Sequence, residues 1–238
     1  MTNPRRNEAP QQLEQLLDSC RYLLIDFDGS IAHVFAGLPA PLVAKRLRGM
    51  VEQHGLVDAL VDGDDPMQVL HAAKDLPVGR RDDFERALRA AEVEAVATAE
   101  PTPGVDRLLQ ACARTGRQVA VVSNNSDEAV RTYLDLHDLN RFATIVSART
   151  SSDPSLLKPS PFLVDQAVEQ LHADPAACVL IGDTISDIQA ATAAGVRSIG
   201  HANKPNKATL LNDAGAHAVV TTMDQITSAM GDERSVGG

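Results

Sequence analysis

Three short apolar runs of the chain are each followed at once by side chains that can do chemistry. These segments are Asp26-Phe27-Asp28-Gly29-Ser30, Ser123-Asn124-Asn125 and Gly182-Asp183-Thr184-Ile185-Ser186-Asp187. Carboxylates that converge on one site repel one another unless a cation lies among them, and oxygen ligands without His or Cys favour a hard ion such as Mg²⁺. Lys158, in Leu157-Lys158-Pro159, and the Ser123 hydroxyl suit an anionic group that binds to that ion.

Each of these segments, taken alone, has an ordinary structural interpretation. Asp26 and Asp28 can be turn residues at the end of a strand, Ser123 can begin a helix cap, Asp183 can close a strand and Lys158 can be a solvated side chain. The ordered combination favours a functional site, because three of the segments directly end predicted buried strands.

The elements that position these segments alternate between strands and helices. The predicted strands are the short apolar runs Tyr22 to Ile25, Val119 to Val122, Ala143 to Val146, Cys178 to Ile181, Arg197 to Ile199 and Ala218 to Val220. Runs that are apolar without alternation are typical of strands buried on both faces, as in a parallel sheet flanked by helices. Ligands of such sheets bind at the carboxyl ends of the strands, where the polar segments stand.

Start and stop signals predict the helices between these strands. Val105 to Thr115 ends at Gly116, Ile185 to Ala194 ends at Gly195, Asn125 can cap a helix with Glu128 three positions on, and Ser160 precedes a proline at the first helical position. An all-helical bundle is the alternative, but it would not need so many short Val and Ile runs.

The pattern changes between the first and second polar segments. Pro41 to Gln53, Pro66 to Ala73 and Arg81 to Val96 are predicted to be helical, with no convincing strand among them. We therefore expect a discontinuous α/β core, residues 11–30 and 102–231, with a helical cap at residues 31–101. Residues 1–10 and 232–238 are expected to be flexible ends.

Composition excludes several classes of function. The 238 residues carry 22 Lys and Arg against 32 Asp and Glu, a net charge of −10, with no Trp and few other aromatic residues. This argues against nucleic-acid binding. Three cysteines do not indicate a disulfide framework, and no apolar run reaches the roughly 18 residues that cross a bilayer. A cytoplasmic protein without a membrane partner is expected, and the oligomeric state stays open between monomer and dimer.

The four ordered segments resemble the motifs of the haloacid dehalogenase superfamily. The resemblance runs from about Arg21 to Thr221, and the long gap between Asp28 and Ser123 is similar to members whose helical cap follows the first motif. It implies a Rossmann-like core with a small α-helical cap domain. Ser30 departs from the usual Thr but keeps a hydroxyl.

The resemblance also implies a role for each residue. Asp26 is similar to the nucleophile that forms an aspartyl-phosphate, and Asp28 to the general acid and base. Mg²⁺ would be held by Asp26, Asp183 and the carbonyl of Asp28, with Asp187 as a further ligand or acting through water. Ser123, Asn124 and Lys158 would hold the phosphoryl oxygens. The superfamily's dehalogenases lack an acid at the position of Asp28, so its presence favours phosphate chemistry.

Several functions remain open at this point. The resemblance favours a Mg²⁺-dependent phosphatase for a small phosphorylated metabolite, broadly like phosphoglycolate phosphatase, and the alternative enzyme is a sugar phosphomutase of the β-phosphoglucomutase kind. A non-catalytic phospho-ligand sensor would bind without turnover. A receiver domain would be about half as long and would place its acids in another order.

Substrate choice is expected to depend on the cap. Its candidate contacts are His33, Arg46, Arg48, His54, His71, Lys74, Arg80 and Arg81. The turn-like segment from Val61 to Pro66 is the cap loop expected to approach substrate, on its loop composition. Asn203 and Lys204 could reach the rim of the site, although a solvated loop is the expected interpretation.

Overall fold

The computed structural model describes residues 5–52 and 64–231 and contains a six-stranded sheet at its centre. The strands are β1 Tyr22–Ile25, β2 Ala32–His33, β3 Glu100–Pro101, β4 Gln118–Ser126, β5 Ala143–Arg149, β6 Cys178–Gly182, β7 Arg197–His201 and β8 Ala218–Val220. The large sheet has the order β5-β4-β1-β6-β7-β8, and every neighbouring pair is parallel. The predicted α/β class is confirmed, and each predicted run lies in one of these strands.

The central strand β1 brings the first, second and fourth polar segments together. Ile25 lies opposite Val121 of β4 on one side and Ile181 of β6 on the other. Every residue of β6 is buried, as expected for a strand covered by helices on both faces. Because the three strands are parallel and in this register, Asp26, Ser123 and Asp183 emerge at the same edge of the sheet.

The described residues form helices before, between and after the strands. They are α1 Arg5–Asp18, α2 Ala40–Glu52, α3 Pro66–Ala72, α4 Val78–Val96, α5 Val105–Arg114, α6 Asp127–Leu136, α7 Phe162–Gln170, α8 Ile185–Ala193, α9 Lys207–Asp213 and α10 Met223–Ala229. Helix α1 begins inside the segment expected to be a flexible end, because Leu13, Leu16 and Leu17 form a buried helical stripe. The sequence pattern does not predict α9 and α10; residues 1–4 and 232–238 lie outside the described residues.

Two predicted helix starts are wrong in detail. Strand β4 continues to Ser126, so Ser126 and not Asn125 caps α6, and its Oγ accepts from the main-chain N of Ala129 at 3.4 Å. Helix α7 begins at Phe162, with Pro161 in the capping position and not at the first helical position. Both helices therefore begin one residue later in the chain than the sequence pattern predicts.

The helical segment α2–α4 is enclosed by a second, two-stranded sheet that the sequence does not predict. Strands β2 and β3 pair antiparallel, with Ala32 opposite Pro101 and His33 opposite Glu100. Two residues are too few to show a strand period, which is why the pattern misses them. The predicted helices are all present, although α4 begins earlier, at Val78, and Gln53 lies outside the described residues. Apolar side chains of this segment, such as Val43 and Leu88, belong to the same buried cluster as the sheet.

No helix in residues 5–52 and 64–231 combines the length and the apolar character that crossing a membrane requires. Cys20, Cys112 and Cys178 are buried free thiols.

Candidate active site

Three buried carboxylates meet at the carboxyl edge of the sheet. Asp26 follows β1, while Asp183 and Asp187 follow β6, and one carboxylate oxygen of each lies within 4.8 Å of the other two. The Oδ2 of Asp187 accepts from the main-chain N and the Oγ1 of Thr184, at 3.0 and 2.6 Å, which closes the capping box of α8. The start of α8 therefore holds Asp187 in place and leaves its Oδ1 to contact Lys158.

Lys158 lies between two of these carboxylates. Its Nζ is 2.6 Å from Oδ1 of Asp26 and 2.6 Å from Oδ1 of Asp187, and it donates to the carbonyl of Val122 at 2.9 Å. The Asn124 side chain holds the Lys158 backbone, since Nδ2 donates to the Lys158 carbonyl at 3.1 Å and Oδ1 accepts from the Lys158 N at 2.8 Å. Asn124, predicted to bind phosphate, thus has its side-chain amide engaged in positioning Lys158.

The pKa values of Asp26 and Lys158 both lie above their ordinary values. Burial and the neighbouring carboxylate of Asp187 raise the pKa of Asp26 well above its ordinary value, and Lys158 opposes them. Burial disfavours the charge of Lys158, but Asp187 and Asp26 outweigh it, so the pKa of Lys158 lies above its ordinary value. Lys158 therefore carries a positive charge. This single charge does not balance the two negative charges of Asp26 and Asp187 that it contacts.

A cavity lies between this edge of the sheet and the helical segment, and Asp28 lines it. Asp28 is not one of the three clustered carboxylates. Its Oδ1 accepts from the main-chain N of Val34 at 3.0 Å. Burial, aided by the charge of Asp183, raises the pKa of Asp28 to about 6, although the hydrogen bond from Val34 and the charge of Lys204 oppose this shift. A carboxyl group with such a pKa can hold a proton near neutral pH and release it again, as a general acid and base must.

Ser123 is fully buried below the wall of the cavity. Its Oγ donates to Oδ1 of Asn125 at 3.2 Å and accepts from the Asn125 main-chain N at 3.0 Å. Asn124 and Asn125 line the cavity, and Ser123 is not among its lining residues. The structure thus brings Ser123 to the predicted edge of the sheet but turns its hydroxyl towards Asn125.

A second cation, which the sequence pattern does not reveal, contacts Asp183. The Nζ of Lys207, on α9, forms an ion pair with Oδ2 of Asp183, and Nδ2 of Asn203 donates to the same oxygen at 2.9 Å. Asn203 also donates to the carbonyl of Gly29 at 2.9 Å. The solvated-loop interpretation of Asn203 is therefore wrong, because this loop closes over the first motif. Asn203, Lys204 and Lys207 all line the cavity.

The cavity between the sheet edge and the helical segment has a volume of about 680 Å³. Of the candidate cap contacts, His33 and His71 line it, whereas Arg46 pairs with Glu94 and both Lys74 and Arg81 line a separate, smaller cavity. Arg48 and Arg80 line neither cavity, and His54 lies outside the described residues. In the predicted cap loop, residues 61–63 also lie outside them, while Asp64 and Asp65 line the main cavity.

The residues present fit a hard divalent cation. The donor set consists of carboxylate oxygens, as Mg²⁺ prefers. The buried Oδ1 of Asp183 has no hydrogen-bond partner among the described residues, and such an atom is costly unless something binds it. Asp26, Asp183 and Asp187 are thus able to hold a metal ion, which would also offset the charge that raises the pKa of Asp26.

Comparison with known proteins points in the same direction. The chain is 28% identical over 207 residues to the bifunctional riboflavin kinase/FMN phosphatase of Arabidopsis thaliana, a match that covers 83% of this chain and 52% of that protein. It is 32% identical over 120 residues to a phosphoglycolate phosphatase of Aquifex aeolicus, covering 50% of this chain and 55% of that protein. The chain thus spans about half the length of these curated relatives.

The fold is shared with solved structures. CbbY from Rhodobacter sphaeroides, crystallised with xylulose-(1,5)bisphosphate, has a TM-score of 0.63 at 18% identity, covering 86% of this chain and 95% of that one. The family model described as haloacid dehalogenase-like hydrolase matches residues 64–201, from the helical segment to the end of β7. The match covers more than half of the chain, and it includes Ser123, Lys158, Asp183 and Asp187. The resemblance drawn from the four motifs is confirmed, and the chain belongs to the haloacid dehalogenase-like hydrolases.

Proposed function

We propose that this protein is a Mg²⁺-dependent phosphatase that hydrolyses a small phosphorylated metabolite through an aspartyl-phosphate. One observation carries the proposal: Asp26 lies within a buried carboxylate cluster and is 2.6 Å from the Lys158 ammonium, beside a cavity into which Asp28 also faces. A nucleophile, a proton carrier and positive charge next to one another are the requirements of phosphoryl transfer.

In the proposed first step, a carboxylate oxygen of Asp26 attacks phosphorus and the bond from phosphorus to the ester oxygen breaks. Asp28 donates its proton to that oxygen, so the alcohol leaves neutral. The pKa of about 6 for Asp28 favours this role, because a carboxyl group with an ordinary pKa would hold almost no proton near pH 7.

In the second step, Asp28 accepts a proton from water, and the resulting hydroxide attacks the phosphorus of the aspartyl-phosphate. The bond between phosphorus and the Asp26 oxygen breaks, which restores the carboxylate and releases inorganic phosphate. Lys158, and the main-chain N–H group of Asn124 beside the cavity, are suited to binding the phosphoryl oxygens. When bound by Asp26, Asp183, Asp187 and the Asp28 carbonyl, Mg²⁺ would neutralise charge on the phosphoryl group.

The named relatives support a phosphatase with a small substrate. One relative carries FMN phosphatase in its name and another is a phosphoglycolate phosphatase. We further propose that residues 31–101 act as a cap and that residues 11–30 and 102–231 form the catalytic core. The lining of the cavity by His33, Asp64, Asp65 and His71 supports a role of this segment in choosing the substrate.

The test is a panel of phosphorylated metabolites with and without Mg²⁺, in which inorganic phosphate and isomerised products are both measured. Release of phosphate from a subset of the panel, dependent on Mg²⁺, is the expected result. Isomerisation that requires a bisphosphate primer would favour a sugar phosphomutase instead. Binding of phosphorylated compounds without turnover would contradict the enzyme and favour a phospho-ligand sensor.

A further inference from the structure

A buried ion pair joins the helical segment to the wall of the cavity. Arg149, at the end of β5, places Nη2 at 2.6 Å from Oε2 of Glu92 on α4, and neither side chain has any exposed surface. The same guanidinium donates from Nη1 to Oε1 of Glu85 at 2.7 Å and from Nε to the carbonyl of Asn124 at 3.0 Å. All three side-chain nitrogens of Arg149 thus donate hydrogen bonds, and one of these bonds goes to Asn124, in the second motif, Ser123–Asn125.

Glu92 determines how that motif is oriented. Its Oε2 also accepts from the main-chain N of Ser126 at 2.9 Å, and its Oε1 accepts from Nδ2 of Asn125 at 3.2 Å. An ionised carboxylate only accepts, so the Asn125 amide must turn its NH₂ group towards Glu92 and its oxygen towards Ser123. The Ser123 hydroxyl then donates to that oxygen. One carboxylate on α4 therefore sets the direction of two polar groups in the second motif.

We propose that Glu92, held by Arg149, is a positioning residue of the active site that keeps the Ser123–Asn125 segment in its working orientation and links it to α4. A buried ion pair adds little stability compared with an apolar pair of similar volume, because both charges lose their hydration. What this pair supplies is a fixed set of acceptors for Asn125 and Ser126. The consequence for catalysis rests on the proposed function, whereas the positioning itself does not.

The isosteric change Glu92→Gln tests the role of the carboxylate. Three donors surround Glu92, and glutamine would turn its own NH₂ group towards at least one of them, so the segment must rearrange. We expect kcat/KM to fall by about tenfold to a hundredfold, since small displacements of positioning groups have effects of this size. The inhibition constant of inorganic phosphate should rise in parallel.

Glu94→Gln is the matched control. Glu94 is on the same helix, but its ion pair with Arg46 is 3.4 Å long and both side chains are more than half exposed. This variant should retain the activity of the wild type. The triple variant Glu85→Gln/Glu92→Gln/Arg149→Met addresses folding, because it removes the buried arginine together with both of its carboxylate partners. We expect it to recover stability relative to Glu92→Gln without recovering phosphate affinity.

The deciding experiment compares amide hydrogen exchange and phosphate release in the wild type, Glu92→Gln and Glu94→Gln. Faster exchange confined to residues 123–126 in Glu92→Gln, with weaker inhibition by phosphate, is expected. Unchanged exchange there, or faster exchange throughout the sheet including β6, would overturn the positioning role. If the wild type hydrolyses no phosphate ester, the proposed function fails, and the exchange pattern still decides whether Glu92 positions the segment.

Discussion

Replacing Lys158 with methionine removes the positive charge that lies between two carboxylates of the site. The Lys158, Asp26 and Asp187 side chains are at most 9% exposed, and both ion pairs measure 2.6 Å. Removing one partner of a buried pair costs about 3–5 kcal/mol, because the other charge stays buried without compensation. In a chain of this size about 1 kcal/mol changes Tm by about 2–4 °C, so Lys158→Met should lower Tm by about 6–20 °C in the presence of a chelator.

This loss of stability should depend on pH. Burial and Asp187 already hold the pKa of Asp26 well above its ordinary value, and Lys158 lowers it. Removing Lys158 therefore raises the pKa of Asp26 further. A carboxyl group whose pKa is higher in the folded than in the unfolded protein destabilises the fold where it is ionised, and the cost disappears as pH falls through the folded pKa. The difference in Tm between the wild type and Lys158→Met should therefore narrow from about pH 8 towards about pH 4.

Thermal unfolding followed by circular dichroism in EDTA measures both effects. Lys207→Met is the control, because Lys207 is 22% exposed and pairs with the carboxylate of Asp183, so its replacement should lower Tm less. A Tm of Lys158→Met within about 2 °C of the wild type at about pH 8 would refute the reasoning, since it would mean that the carboxylates do not depend on this ammonium.

Two further substitutions test the neighbouring residues. In single-turnover experiments that follow release of the alcohol, Asp28→Asn should slow the first step with alkyl phosphates by about 10²–10⁴-fold and with p-nitrophenyl phosphate far less, because only the alkoxide needs a proton to leave. Equal losses in this step on both substrates would contradict the general-acid role. Gly29→Ala should raise the Mg²⁺ concentration for half-maximal activity by about tenfold or more, because Gly29 has φ +87° and its new Cβ would lie 2.3 Å from Oδ2 of Asp183. Gly195→Ala, at φ +69° with no atom within 4 Å of the new Cβ, controls for backbone strain, and an unchanged Mg²⁺ requirement in Gly29→Ala would show that Asp183 is not displaced.

The central strands can be predicted from sequence because they are buried on both faces. Strands β1 and β6 show no polar alternation for that reason, and their polar successors Asp26 and Asp183 can be assigned to one sheet edge from the order of the residues alone. Strands β2 and β3 cannot be predicted in this way, because each has two residues and they are far apart in the chain, so that the intervening helices bring them together.

Residues that support the site through tertiary contacts are harder to predict from the sequence. Lys207 reaches Asp183 from a helix without a recognisable motif, and charged residues outside motifs are usually solvated. Glu92 and Arg149 are 57 residues apart in the chain, and each resembles an ordinary surface residue. They are buried together where α4 packs against β4 and α6, beside the end of β5. Single residues that act through tertiary contacts therefore cannot be predicted from the sequence, whereas residues that directly follow a buried strand can.

Asp26 as the nucleophile is tested most directly by Mg²⁺-dependent release of phosphate from an aryl phosphate by the wild type and by Asp26→Asn. The asparagine amide cannot attack phosphorus as the carboxylate does, and it is close enough in shape for the variant to fold. We expect turnover in the wild type that is abolished by chelation, and no turnover in a variant whose circular dichroism spectrum is unchanged. Retained Mg²⁺-dependent turnover in folded Asp26→Asn would contradict the mechanism.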